Sequence, residues 1–217
     1  MPEIVQSPVS VTSTGNPSDL ELVSQMANGN RDALAIIFRR HQAMVFRFCK
    51  QMLGTREAAE DLTQEVFIAL ARGASRYDES KGALGTYLYG IARNLILQRY
   101  KRHRLQPEIS IDSLAEDSAP LTTSTDPLDE LMRVQLLRRL RTAILQLPIH
   151  YREVIVLCEL NGLSYEDAAL VANCPVGTIR SRLSRARALL ISRCRKSMTS
   201  DETPEAYPTG LRLAKHG

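Results

Sequence analysis

Apolar residues recur at three- and four-residue steps through most of the chain, the spacing of helices with one buried face. The S-D-L-E run from Ser18 to Glu21 fits a capping box opening the first helix, with Leu22, Val23 and Met26 as its apolar side. From Asp32, Leu34, Ile37, Phe38, Val45, Phe48 and Met52 return to one face of a long helix, which Gly54 and Thr55 end. A third helix is predicted from about Arg56 to Ala71 on Ala59, Leu62, Val66 and Leu70. After a polar run from Tyr77 to Gly82, a fourth spans Leu84 to Arg104, with Leu88, Ile91, Ala92 and Leu95 as its expected buried stripe.

The pattern stops between Pro107 and Glu130. That segment mixes Pro, Ser and Thr with Glu108, Asp112, Glu116, Asp117, Asp126 and Asp129 and holds no basic residue, the composition of a linker. Helical spacing resumes with Leu137, Leu140, Ile144 and Leu147 before Pro148, then Val154, Ile155 and Leu157. The expected fold class is all-α: two small helical domains joined by a flexible acidic linker, the second containing a helix-turn-helix. The expected boundaries are a tail at 1–17, a first domain at 18–105, the linker at 106–130, a second domain at 131–197 and a tail at 198–217.

Composition narrows the chemistry only a little. With 217 residues, 44% hydrophobic and 24% charged, the chain can bury a real core, and its net charge of +4 permits an anionic partner without requiring one. The N-terminus lacks the basic cluster and apolar core of a secretory signal, and no stretch has the roughly 18 consecutive apolar residues of a membrane span, so no membrane insertion and a cytoplasmic location are expected. Cys49, Cys158, Cys174 and Cys194 are widely spaced without a CxxC pair and read as free thiols, with a Cys158–Cys174 redox pair as the alternative. No metal site or cofactor is expected, because no ligand pair is suitably spaced and no Gly-rich phosphate loop or nucleophile motif is present.

The sharpest motif is L-S-Y-E-D-A-A-L-V-A-N-C-P-V-G-T-I-R-S-R-L-S-R-A-R-A-L-L, from Leu163 to Leu190. Ser164 can cap a short helix through Ala172, Asn173 and Cys174 make a turn, and Pro175 suits the first turn of the next helix. This is the spacing of a DNA-binding helix-turn-helix, whose second helix enters the major groove. On that helix Val176, Ile179, Leu183, Ala186 and Leu190 form the buried stripe. The opposite face carries Gly177, Thr178, Ser181, Ser184 and Arg185, small or hydrogen-bonding groups that can approach base edges, Arg185 being able to pair with guanine. Arg180, Arg182 and Arg187 flank it, where cations meet phosphates. A purely solubilising role for these arginines is the competing reading.

Four motifs in order carry a family resemblance: D-L-T-Q-E-V-F from Asp61, Y-L-Y-G-I-A-R-N from Tyr87, L-P at Leu147 followed by R-E-V-I-V-L, and the helix-turn-helix. Together they resemble the bacterial extracytoplasmic-function (ECF) sigma factors, over about 19–104 and 136–195. The resemblance implies that Asp61, Gln64, Glu65 and Phe67 dock on RNA polymerase core, with a core position as the alternative for Phe67. It also implies that Tyr87, Tyr89, Arg93, Asn94, Arg99 and Arg102 melt and hold the downstream promoter box near minus 10. Thr178, Arg180, Ser181, Arg182, Ser184, Arg185 and Arg187 then read the upstream box near minus 35. Leu84 and Tyr87 stand where the family has an aromatic residue and a Trp. The partners so implied are polymerase core, promoter DNA and an anti-sigma factor, with no catalytic site. A stand-alone helix-turn-helix regulator would not need the D-L-T-Q-E-V-F helix, and a sigma mimic that only titrates an anti-sigma factor would not need an arginine-flanked reading helix.

Overall fold

The structure, a computed structural model, describes residues 17–105 and 127–199. The expected linker and both expected tails fall wholly or largely outside the described residues. Among those described there are eight α-helices and no strand.

Helix α1 (Asp19–Ala27) begins as expected: Glu21 N–H donates to Ser18 Oγ at 3.2 Å, and Ser18 N–H donates back to Glu21 Oε2 at 2.8 Å. Helix α2 (Arg31–Leu53) is capped by Asn30, which accepts from Asp32 N–H, and stops at Gly54, whose φ of +91° suits a residue without Cβ. Helix α3 (Arg56–Arg72) follows, then two 3₁₀ turns at Ala74–Arg76 and Glu79–Lys81, then α4 (Leu84–Leu105). The buried stripe of α4 is Leu84, Leu88, Ala92 and Ile96 with Tyr89 beside it. Ile91 and Leu95, expected in that stripe, are only partly buried at its edge. These helices pack α1 on α2, and α2 on both α3 and α4.

The second half holds α5 (Pro127–Leu145), α6 (Ile149–Val154), α7 (Tyr165–Ala172) and α8 (Val176–Thr199). A π-helical stretch, Ile155–Leu160, continues α6 and widens it by one residue per turn. Ser164 caps α7, accepting from Asp167 N–H at 3.0 Å. Asn173 turns the chain in the left-handed conformation (φ +47°, ψ +55°), one of the few residue types that tolerates it. Pro175 stands just before α8 rather than within its first turn, and its carbonyl accepts from Thr178 N–H at 2.8 Å.

The two halves pack against each other along α4, which meets α7, and along α2, which meets α5 and the π-helical stretch. Their apolar residues form one continuous core. Arg152 is a buried polar tie between them: only 7% exposed, it donates from Nη1 to the Met52 carbonyl at 2.6 Å and to the Tyr100 hydroxyl. Its Nη2 donates to the carbonyls of Leu145 and Leu147. One guanidinium thus joins the ends of α2 and α5 to α4, using the several donors that arginine alone offers.

Candidate nucleic-acid interface

Helix α8 places its residues as periodicity requires. Ile179, Leu183 and Ala186 are buried, Val176 and Leu190 partly so. Gly177, Ser181, Ser184 and Arg185 are exposed on the other side, with Thr178 half-buried. Ser181 Oγ donates to the Thr178 carbonyl at 3.1 Å, a local bond a DNA partner can replace. Of the flanking arginines, Arg180 lies 6.0 Å from the centre of the Tyr165 ring, Arg187 pairs with Glu159, and Arg182 is half-buried. The hydrogen bond to the Glu159 carboxylate shifts the Arg187 pKa upward.

Helix α4 scatters its candidate residues. Asn94 and Arg102 are exposed, and Tyr87 is half-buried with its ring 5.4 Å from that of Tyr77. Tyr89 is only 5% exposed; its ring meets Phe48 edge-on at 5.0 Å and its hydroxyl donates to Asn161 Oδ1 at 3.3 Å. Burial raises its phenol pKa, which keeps the hydroxyl a donor. Arg93 forms an ion pair with Glu153, the two side chains 12% and 1% exposed. Arg99 turns back to α3, where Nη2 donates to Glu65 at 2.7 Å.

On α3, Asp61, Gln64 and Glu65 are exposed and lie on one face. Phe67 differs from them: it is 4% exposed and meets Phe38 edge-on at 4.8 Å, so its ring belongs to the core. Ile68, one turn after Gln64 and 49% exposed, shares their face and borders an apolar groove with Leu34 and Phe38. Its helical register beside Gln64 was the available signal for it.

Arg152, Glu153, Asn161 and Gln51 are absent from the expected site residues, yet they make the contacts described above or extend them: Asn161 Nδ2 donates to Gln51 Oε1 at 2.7 Å. The available signal was a charged Arg-Glu pair abutting the apolar run V-I-V-L, where burial demands partners.

Residues 37–106 match the Sigma-70 region 2 family, and residues 137–190 match Sigma-70, region 4. The chain is 31% identical over 175 residues to the ECF RNA polymerase sigma factor SigW of Bacillus subtilis, covering 77% of this chain and 92% of the relative. It is 33% identical over 183 residues to the ECF RNA polymerase sigma factor SigC of Mycobacterium tuberculosis, covering 82% and 95%. A similar solved structure is the sigma factor RpoE of Bartonella quintana in complex with the anti-sigma factor NepR, 27% identical with a TM-score of 0.60, covering 74% of this chain and 96% of that one. With both family regions in order and relatives matched over nearly their whole length, the chain belongs to the ECF sigma factors of RNA polymerase.

Proposed function

We infer that this sigma factor, which binds polymerase core and directs promoter-specific initiation, divides its work between a core-docking and strand-holding domain at 18–105 and an upstream-box reader at 131–197. The observation that carries the reading is the solvent-facing surface of α8, where Ser181, Ser184 and Arg185 lie opposite the buried Ile179, Leu183 and Ala186. Small groups there let the helix approach base edges, Arg185 supplies a bidentate donor for guanine, and the flanking arginines fix the docking on phosphates. Asp61, Gln64 and Glu65, with Ile68 beside them, form the core-docking face. Asn94 and Arg102 are accessible to the downstream box in this conformation, while Tyr89 and Arg93 are covered. Phe67 supports the docking face from beneath.

The chain works without catalysis of its own: it contributes binding energy, and bond formation belongs to polymerase. It acts in the cytoplasm, a reading supported by the family and by the lack of any helix long and apolar enough to cross a membrane among the described residues. An anti-sigma factor is a further partner, supported by the complex in which the Bartonella relative was solved.

The test mixes the purified chain with sigma-free core on a genomic promoter library, with Asp61→Arg and Ser181→Ala/Arg185→Ala variants alongside. Defined transcripts are expected from the parent chain; Asp61→Arg abolishes core binding, and the double variant binds core but loses transcripts. Undiminished transcription by the double variant would overturn the assignment of α8.

A further inference from the structure

The core shared by the two halves comes to the surface where α2, α5 and the end of the π-helical stretch meet. There a pocket of about 380 Å³ opens, with Phe46, Ile144, Leu145 and Leu160 as its apolar wall. Ile144 is 5% exposed and Leu160 38%, so the wall runs from the core out to solvent. None of the residues set against polymerase or promoter DNA lines it.

The rim carries charge of one sign. Arg47 and Lys50 border the pocket from α2 and Arg141 from α5, and no acidic residue lines it among the described residues. Lys50 stands in the last turn of α2, where the terminal carbonyls of a helix favour a cation. That accounts for one of the three; Arg141 belongs to another helix and lies outside its last turn. Burial and the nearby charges of Arg141 and Arg56 push the Lys50 pKa down, as crowding by other cations requires. Glu60, the carboxylate that acts against this, is itself held by Arg56 at 2.7 Å.

Ligand sites are concave and mostly apolar with a few convergent polar groups, and their volumes run from about 300 to 1,000 Å³. This pocket has that form, and its make-up selects the ligand. The apolar wall suits a hydrocarbon body, and cations at the mouth suit a single anionic group through charge-assisted hydrogen bonds. A polyanion would leave the wall uncovered, and a neutral lipid would leave the rim without a counter-charge.

We propose that this pocket is a binding site for a free single-chain amphipathic anion, an alkyl carboxylate whose chain lies along Phe46, Ile144 and Leu160 and whose head meets Arg47, Lys50 and Arg141. The site does not depend on which helices read the promoter.

The test is isothermal titration calorimetry of the full chain with octanoate, decanoate and dodecanoate below their micelle concentrations, with decanol as the uncharged control. Saturable one-to-one binding is expected, tightening by about tenfold for every two carbons added until the wall is covered. Decanoate should bind about tenfold or more tightly than decanol, the worth of a hydrogen bond to a charged group. Arg47→Gln/Arg141→Gln should remove that preference and leave the affinity for decanol in place. Ala43→Trp, which sets an indole at the pocket wall from an exposed position, should abolish binding of both. Arg47 and Arg141 are exposed as well, and should either variant fail to fold by circular dichroism, the other carries the test. Equal affinities for decanoate and decanol would mean that the arginine and lysine stems only cover apolar surface, and would overturn the proposal. So would decanoate binding unchanged in both variants. Sedimentation with phosphatidylglycerol vesicles without any response to the free acid would also overturn it, making the occupant a membrane surface.

Discussion

The two helices set against promoter DNA are prepared in opposite ways. Helix α8 shows its small, arginine-flanked face to solvent, whereas α4 turns Tyr89 and Arg93 into a polar interface with the other half of the chain. The difference lies in what fixes each face. The α8 surface follows from its own periodicity, because burying Ile179, Leu183 and Ala186 leaves only one side for Ser181, Ser184 and Arg185. The α4 surface is fixed by partners 52 to 81 positions away. One helix is ready by itself; the other depends on the arrangement of the whole molecule.

The largest effect expected is on the support beneath α4. Phe48 is fully buried and braces Tyr89, so Phe48→Ala should cost about 3–5 kcal/mol in urea unfolding. A cost near zero would mean that the α4 face stands without this packing. Next, Ser181→Ala/Arg185→Ala should weaken upstream-box duplex binding by about 10- to 100-fold, the worth of a bidentate base contact at about 1–3 kcal/mol. Because α8 exposes this face already, the loss should be the same in a Glu153→Gln background; a smaller loss there would break the contrast between the helices.

A different effect is set by pH. Burial pushes the Cys49 thiol, on α2 close to α4, up to about 12 from an ordinary value of 9.0. The unfolded chain ionises first, so the contribution of this group is complete below pH 9. It falls by about 1.4 kcal/mol per pH unit between roughly 9 and 12. Urea midpoints over that range should decline less steeply for Cys49→Ala; equal slopes would refute the assignment. The smallest effect belongs to the turn that aims α8: Asn173→Ala should cost about 1 kcal/mol, since alanine resists the left-handed conformation, and Asn173→Gly should restore it in thermal melts.

These contrasts explain what was legible in the sequence. The capping box at Ser18, the Ser164 cap, the Asn173 turn and the α8 stripe are local, each set within a few residues, and each stands as its pattern requires. The α4 stripe was displaced toward Ile96 because three neighbours, α2, α3 and α7, pack on that helix, and periodicity alone does not weigh them. The π-helical stretch at Ile155–Leu160 left no signal, since its apolar run suits either helix. Phe67 was open to either reading, docking surface or core, and the helical face it shares with Val66 and Leu70 points inward. Glu153 and Arg152 were met only as part of a motif; their roles depend on partners far away in the chain, Arg93 for the one and Met52 and Tyr100 for the other.

The 60 positions separating Arg93 from Glu153 also set a clock. Chains grow at about 5–20 residues per second, so α4 leaves the ribosome roughly 3–12 s before the carboxylate that covers it. For that interval every nascent copy carries Arg93 and the Tyr89 hydroxyl without their partners Glu153 and Asn161, and any partner recognising those groups during synthesis competes with no side chain of the second half.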